Sequence, residues 1–423
     1  MKRVLPIIFL LLCNLHLSFA AIRSSSPTTI SESITTSNSV MATNDDGTYW
    51  TVWKDATEII QAKFFNGNTF GPKEEITEVG SLTEMAITFV GNEPIVVWID
   101  GGVIRSSLRQ NGSWPFPALS IPNTSSATDL AIAKGNNGQT VAVWKEDGQI
   151  RSSTFQGDFW TDPVDISNVP AATPLSQPSI STGGDGVSYA VWQQEVAGNP
   201  EVFAAFYRGS WSQPLRISAA GEMAGIPVIA AQPASSSPRV ITAYPDENDN
   251  LLKAVEITLV NGSVRLSRIP MPIMPLMPSS SPVINWGGGT VIIAGIDPSG
   301  NVRATLSLEP LAWTTPEIFP AVGFNYADVQ AAASSAGNAY ILALADSGEV
   351  RAAQFARQTW SAAAVISSPG VVVTDMALGI DALGRMYTIS STANGSQAVT
   401  VSDSMQNLLY WKNLTNISIQ KGS

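Results

Sequence analysis

Short apolar runs such as Val141-Ala-Val-Trp144 and Ile292-Ile-Ala-Gly295 alternate along the whole chain with polar turns such as Asn136-Asn-Gly138 and Glu146-Asp-Gly148. The runs are too short for helices of ordinary length, and their β-branched and aromatic content fits strands buried on both faces. Gly, Asn and Asp between them supply positive φ and side-chain turn chemistry. Within one unit the pattern predicts four strands, Asp129 to Ala133, Gln139 to Trp144, Gln149 to Phe155 and Phe159 to Ser167.

The pattern repeats. Tryptophans end the second strand at positions 53, 98, 144 and 192, in steps of 45, 46 and 48 residues, and Tyr244 continues the register. A second series pairs an aromatic with an apolar residue six positions on: Phe70 with Ile76, Trp160 with Ile166, Trp211 with Ile217, Trp360 with Ile366 and Trp411 with Ile417. Trp114 to Ile121 and Trp313 to Ile318 differ by one, and Val264 to Ile269 is a degenerate copy, which makes eight units. A period of this length with four short strands per unit predicts an all-β, single-domain β-propeller. Eight four-stranded blades over residues 37–418 are expected, with seven blades as the alternative closure and residues 419–423 as a short tail.

Met1-Lys2-Arg3, the apolar run Val4 to Leu12, and Ser18-Phe19-Ala20 form the three zones of a secretory signal, so residues 1–20 are expected to be removed and the protein secreted. No second apolar stretch is long enough to span a membrane. Residues 21–36 are Ser/Thr-rich and read as an exposed leader. The sole cysteine, Cys13, and the sole histidine, His16, both fall inside the signal. Their loss excludes thiol nucleophiles, Ser-His-Asp triads, disulfides and His/Cys zinc sites from the exported chain. The full chain carries 34 acidic and 23 basic residues, net −11. Nucleic acid and anionic membranes are therefore disfavoured partners.

In a repeat protein, residues present in most units serve the fold, whereas a site breaks the symmetry. Arg105, Arg151, Arg303 and Arg351, with Lys253, hold one repeat position and are expected to form hydrogen bonds and ion pairs between adjacent blades. The recurrent tryptophans are expected to pack the blades. Aligning the units at the start of the innermost strand gives Asn38, Glu84, Asp129, Gln177, Ile226, Ser281, Asp328 and Asp375. Glu84, Asp129, Asp328 and Asp375, with Asn38 among them, then form an acidic arc on half of the channel rim. Such an arc offers oxygens to a hard cation such as calcium or to a ligand, and close carboxylates raise one another's pKa. The bland reading is that each acid caps its own turn.

Two loops also break the repeat. Asp246, Asn248 and Asn250 alternate oxygen donors as a calcium loop does, although the glycine and distal glutamate of an EF-hand are missing, so a solvated acidic hairpin is the expectation. Met271, Met274 and Met277 lie in a Pro-rich connection between units 5 and 6, which either docks a protein partner or buries its own methionines. Asn111, Asn123, Asn261, Asn394, Asn413 and Asn416 lie in glycosylation sequons.

The unit ending Phe206-Tyr-Arg-Gly-Ser-Trp211-Ser-Gln-Pro214-Leu-Arg-Ile217-Ser218 resembles the degenerate tail of the Asp-box repeat of sialidase-like propellers. The defining aspartate has no counterpart ahead of Trp114, Trp211 or Trp360, and no arginine triad or Tyr/Glu nucleophile pair can be assigned by motif. The resemblance implies a propeller and contact with glycans, and does not imply sialidase activity. The sequence therefore points to a secreted, monomeric, non-enzymatic propeller that binds a glycan or another exported protein. The alternative is a glycoside hydrolase working through two carboxylates, which needs neither His nor Cys.

Overall fold

A computed structural model of the chain describes residues 22–403 other than 32–35, 45, 136–137, 168–171, 175, 234, 261–262, 310–311, 320–324, 335–336, 357–358 and 394. The expected signal, residues 1–20, and the expected pair Trp411 to Ile417 lie outside the described residues. So do the sequon asparagines Asn261, Asn394, Asn413 and Asn416.

The described strands form eight antiparallel sheets, spanning residues 36–78, 82–120, 128–165, 172–216, 228–269, 283–318, 326–365 and 373–403. Chain order is sheet order, because short hairpins join antiparallel neighbours. Each sheet is a blade, and the innermost strand of each packs against those of the blades before and after it. The last of these, Val373–Ile380, meets the first, Thr36–Thr43, and closes the ring. Blade 3 is typical, with strands at Thr128–Lys134, Thr140–Glu146, Gln149–Phe155 and Val164–Asp165. Among the described residues no helix is long and apolar enough to cross a membrane.

The core lies between blades. Trp53, Trp98, Trp144, Trp192 and Tyr244 are fully buried at the end of the second strands, and runs such as Thr290–Ile296 are buried at every position because both faces pack on neighbours. Blade 6 keeps the six-residue spacing more closely than the sequence suggested. Phe319, six residues after Trp313, is buried, while Ile318 is exposed.

Two expectations are corrected. Residues 22–31 are not an exposed leader: Ile22–Ser24 and Thr28–Thr29 pair with the third strand of blade 8, Gln397–Asp403, and Ile30 is buried. The first stretch of the described chain thus supplies the outer strand of the last blade. The ion pairs described for the recurrent basic residues lie within blades, although Arg151 Nη1 also donates to Asn123 O in the crossover from blade 2 at 3.5 Å. Arg105 pairs with Asp100, Arg151 with Glu146 and Asp165, Arg303 with Asp297, Arg351 with Glu349 and Lys253 with Asp246 and Asp249, each partner lying within the same blade. Acids of these pairs also bridge blades. Asp100 accepts the amides of Gly80 and Ser81, and Glu146 those of Ser125 and Ser126, so a carboxylate at the end of the second strand fastens the crossover arriving from the preceding blade.

Candidate functional site

Of the expected arc, Asn38, Glu84 and Asp375 line a common cavity of 580 Å³ together with Gln177, whereas Asp129 and Asp328 are not among its lining residues. The innermost strands bulge here, and Asn38 and Asp129 take positive φ of 53° and 59°, which Asn and Asp tolerate. The carboxylates are already engaged, and the bonds mostly join blades. Glu84 accepts the amides of Asp129 and Leu130 in blade 3 at 2.8 and 2.6 Å. Asp375 accepts Ser39 N of blade 1 at 2.8 Å, and Asn38 donates to Thr83 O of blade 2 at 3.1 Å. Asp328 takes the local role, accepting Val329 N at 2.8 Å.

Burial pushes the carboxyls of Asp328 and Asp375 above their usual value, and the charge of Asp328 adds to the shift at Asp375. Among the described residues no group of three or more Asp or Glu side chains is placed to hold a metal ion. The hydrogen bonds at the channel hold the blades in register, and no aromatic side chain is among the described residues lining this cavity.

The two symmetry-breaking loops are likewise satisfied internally. Asp246 is buried rather than solvated, and its Oδ1 accepts the amides of Met223 and Asn248, while Asn250 adopts φ 57° to close the hairpin. Asn248 Nδ2 donates to Gly221 O and Asn250 N donates to Asp246 O, so these residues fasten the turn. In the Met-Pro connection Met274 is fully buried, and its carbonyl accepts Leu252 N while Leu276 N donates to Asn250 O. Met271 and Met277 are partly buried and Ile273 is exposed. This connection extends the sheet of blade 5, so Met274 cannot be a docking contact.

A cleft between blades 1 and 2 breaks the repeat in a way the sequence reading missed. Four residues beyond the partner of the buried Trp or its equivalent, blades 1, 3, 4 and 7 carry an aromatic, namely Phe65, Phe155, Tyr207 and Phe355. Each packs against the aromatic that opens the outer strand, with ring centroids 5.0 to 5.6 Å apart. Blade 2 has Arg109 instead. Two residues before the buried isoleucine of the outer strand, Val164, Leu215 and Ala364 are apolar, whereas blade 1 has Glu74.

These two departures meet across the seam. Arg109 Nε and Nη2 donate to Glu74 Oε2 and Oε1 at 2.9 and 3.0 Å, and Trp114 Nε1 donates to the same carboxylate at 2.9 Å. Glu93 lies 3.6 Å from the guanidinium, which sits 4.9 Å above the centroid of Trp50. The hydrogen bonds from Glu74 hold the pKa of Arg109 above its already high value, with Glu93 adding to the effect. Trp50 packs edge-on against Trp114 with centroids 5.8 Å apart, fixing the floor. The cleft encloses 910 Å³, and Asn44, Asp46, Thr48 and Asn92 bring further polar groups to its walls. The paired guanidinium and carboxylate cover the buried indole of Trp50, and the polar walls with the part-exposed Phe64 suit a ligand with hydroxyls and an apolar face. A cleft of 410 Å³ between blades 3 and 4 keeps the Tyr207 and Trp211 pair and has no Arg among its lining residues.

No protein-family model and no curated protein matches the chain. Among solved structures, the BP39L lectin from Burkholderia pseudomallei superposes with a TM-score of 0.57 at 17% identity, covering 80% of this chain and 100% of the lectin. The Dos1 propeller superposes with a TM-score of 0.53 at 10% identity, covering 90% and 94%. The chain is a β-propeller. The NanB sialidase from Streptococcus pneumoniae is matched at a TM-score of 0.42 and 8% identity over 90% of this propeller and 93% of the sialidase, which is too distant for argument. At these identities the likeness is one of fold alone, and the fold hosts many functions.

Proposed function

We propose that this propeller is an exported, non-enzymatic carbohydrate-binding protein and that the cleft between blades 1 and 2 is its sugar site. The observation that carries the reading is the Arg109 and Glu74 pair, formed by two adjacent blades that both depart from the repeat to make it. A glycan presents hydroxyls to the polar groups around the pair and its C–H face to the part-exposed Phe64, while Trp50 lies buried beneath the guanidinium. Asp46, Glu74 and Glu93 outnumber Arg109 and Lys134 among the lining residues, which favours neutral over acidic sugars. The lectin among the solved structures of similar fold supports the reading. Export rests on residues 1–20, and the chain acts as a monomer in this reading.

A second reading is a carboxylate-based glycoside hydrolase acting in the channel, favoured by the raised pKa values of Asp328 and Asp375. Binding is preferred because both oxygens of Glu84 and one of Asp375 already accept backbone amides, and no aromatic side chain is among the described residues lining their shared cavity.

The test is a broad array of neutral and acidic glycans probed with the full chain and its Arg109→Ala variant. Retention on related neutral glycans that is lost in the variant is the expected result. No retention of either, or release of cleaved sugar, overturns the proposal.

A further inference from the structure

The outer edge of blade 8 is a strand seat with a recognisable code. In blades 3, 4 and 7 a buried isoleucine of the outer strand donates its amide to the third strand, Ile166 to Ile150 O at 2.8 Å, Ile217 to Val202 O at 2.7 Å and Ile366 to Val350 O at 3.0 Å. The serine that follows returns the bond, its Oγ accepting the amide of the same third-strand residue. Ser167 accepts Ile150 N at 2.8 Å, Ser218 accepts Val202 N at 3.1 Å and Ser367 accepts Val350 N at 3.1 Å. An Ile-Ser dipeptide thus exchanges two bonds with one residue, burying the isoleucine and fixing register.

In blade 8 the same two bonds are made by the distant segment at the start of the described chain. Ile30 N donates to Ser396 O at 2.9 Å, and Ser31 Oγ accepts Ser396 N at 2.8 Å. This occupant is an incomplete match. Blades 3, 4 and 7 have a tryptophan six residues before the isoleucine, whereas position 24 is a serine. The sequence that directly follows the third strand of blade 8 matches in full, with Trp411 six residues before Ile417-Ser418. That order, third strand then Trp, Ile and Ser, is the one blades 3, 4 and 7 use. Two segments of one chain therefore carry the code for one seat.

We propose that the edge formed by Gln397–Asp403 is a strand-exchange site, at which residues 411–418 replace residues 22–31 as the fourth strand of blade 8 in a second closed form of the ring. The exchange conserves the two bonds to Ser396 and the buried isoleucine, adds an indole at the edge, and releases the 22–31 segment. The seat accepts an extended peptide with Ile-Ser at the register of Ser396.

Paired cysteines in the full chain carrying Cys13→Ser test this. Thr28 registers with Ala398, and by the shared code Thr415 takes the same place in the second form. Disulfides are expected in both Thr28→Cys/Ala398→Cys and Thr415→Cys/Ala398→Cys chains, each within a single copy. If the Thr415 pair stays reduced where the Thr28 pair closes, or links only two copies, the proposal is overturned. The melting temperatures of Ile30→Asp, Ile417→Asp and the double variant give an independent reading. Loss in the double variant beyond the sum of the singles is expected, because each strand substitutes for the other, and strict additivity contradicts the exchange.

Discussion

Arg109 grips Glu74 through two parallel hydrogen bonds of 2.9 and 3.0 Å, joining blade 1 to blade 2 at the only place where both depart from an otherwise apolar pair of repeat positions among blades 1 to 4 and 7. Partial exposure of both side chains separates a binding role from a purely structural one. Arg109→Lys keeps the charge and loses the fork. Its melting temperature is expected to stay close to that of the parent, since a part-exposed pair adds about 1 kcal/mol or less. Affinity for a retained glycan is expected to fall by roughly tenfold or more, the worth of one charge-assisted hydrogen bond. Thermal melts beside binding isotherms check this.

Glu146 gives a prediction for acid stability. Burial alone raises its pKa, but hydrogen bonds from Trp144, Ser125, Ser126 and Arg151 outweigh that and leave it below the usual glutamate value of 4.5. The folded state therefore holds this proton less tightly than the unfolded chain, so the stabilisation is present above the unfolded pKa and is lost as pH falls through the folded one. Glu146→Gln should cost about 1–3 kcal/mol at neutral pH, and the gap from the parent should shrink in acid. Urea unfolding across that range measures both.

Asp328 and Asp375 run the other way. Burial raises both above 3.8, so the folded chain binds their protons more tightly and stability declines as pH climbs from that value through the raised folded ones. Asp328→Asn is expected to flatten this decline and to be more stable than the parent at neutral pH. An unchanged pH profile contradicts the burial argument.

The Met-Pro connection makes a contrast within one loop. Met274 is fully buried and Ile273 is 78% exposed. Met274→Ala is expected to cost about 2–5 kcal/mol, as for other buried large-to-small changes, and Ile273→Ala to lie within about 0.5 kcal/mol of the parent. Equal effects in denaturant melts contradict the placement.

The ring was legible because its determinants are periodic. Trp53, Trp98, Trp144 and Trp192 mark the second strands, and the aromatic-to-isoleucine spacing marks the outer ones. What stayed hidden depends on contacts between distant segments. Nothing in the local pattern of residues 21–36 says that Ile30 answers Ser396, and a Ser/Thr-rich stretch reads as solvated until its partner edge is known. Glu84 and Asp375 accept hydrogen bonds from backbone amides of an adjacent blade, which no side-chain pattern reports. Arg109 and Glu74 left a readable signal, a charge where sibling units hold aromatic or aliphatic residues. The repeated basic position at Arg105, four residues earlier on the strand Val103–Leu108, masks it.

The most direct measurement is calorimetric titration of the full chain with a neutral glycan retained on the array, alongside Arg109→Ala and Trp211→Ala. The account predicts that Arg109→Ala abolishes the heat of binding and that Trp211→Ala, in the cleft between blades 3 and 4, leaves the affinity within about twofold of the parent, a change of less than 1 kcal/mol. An unchanged affinity in Arg109→Ala contradicts the assignment of the sugar to the cleft between blades 1 and 2.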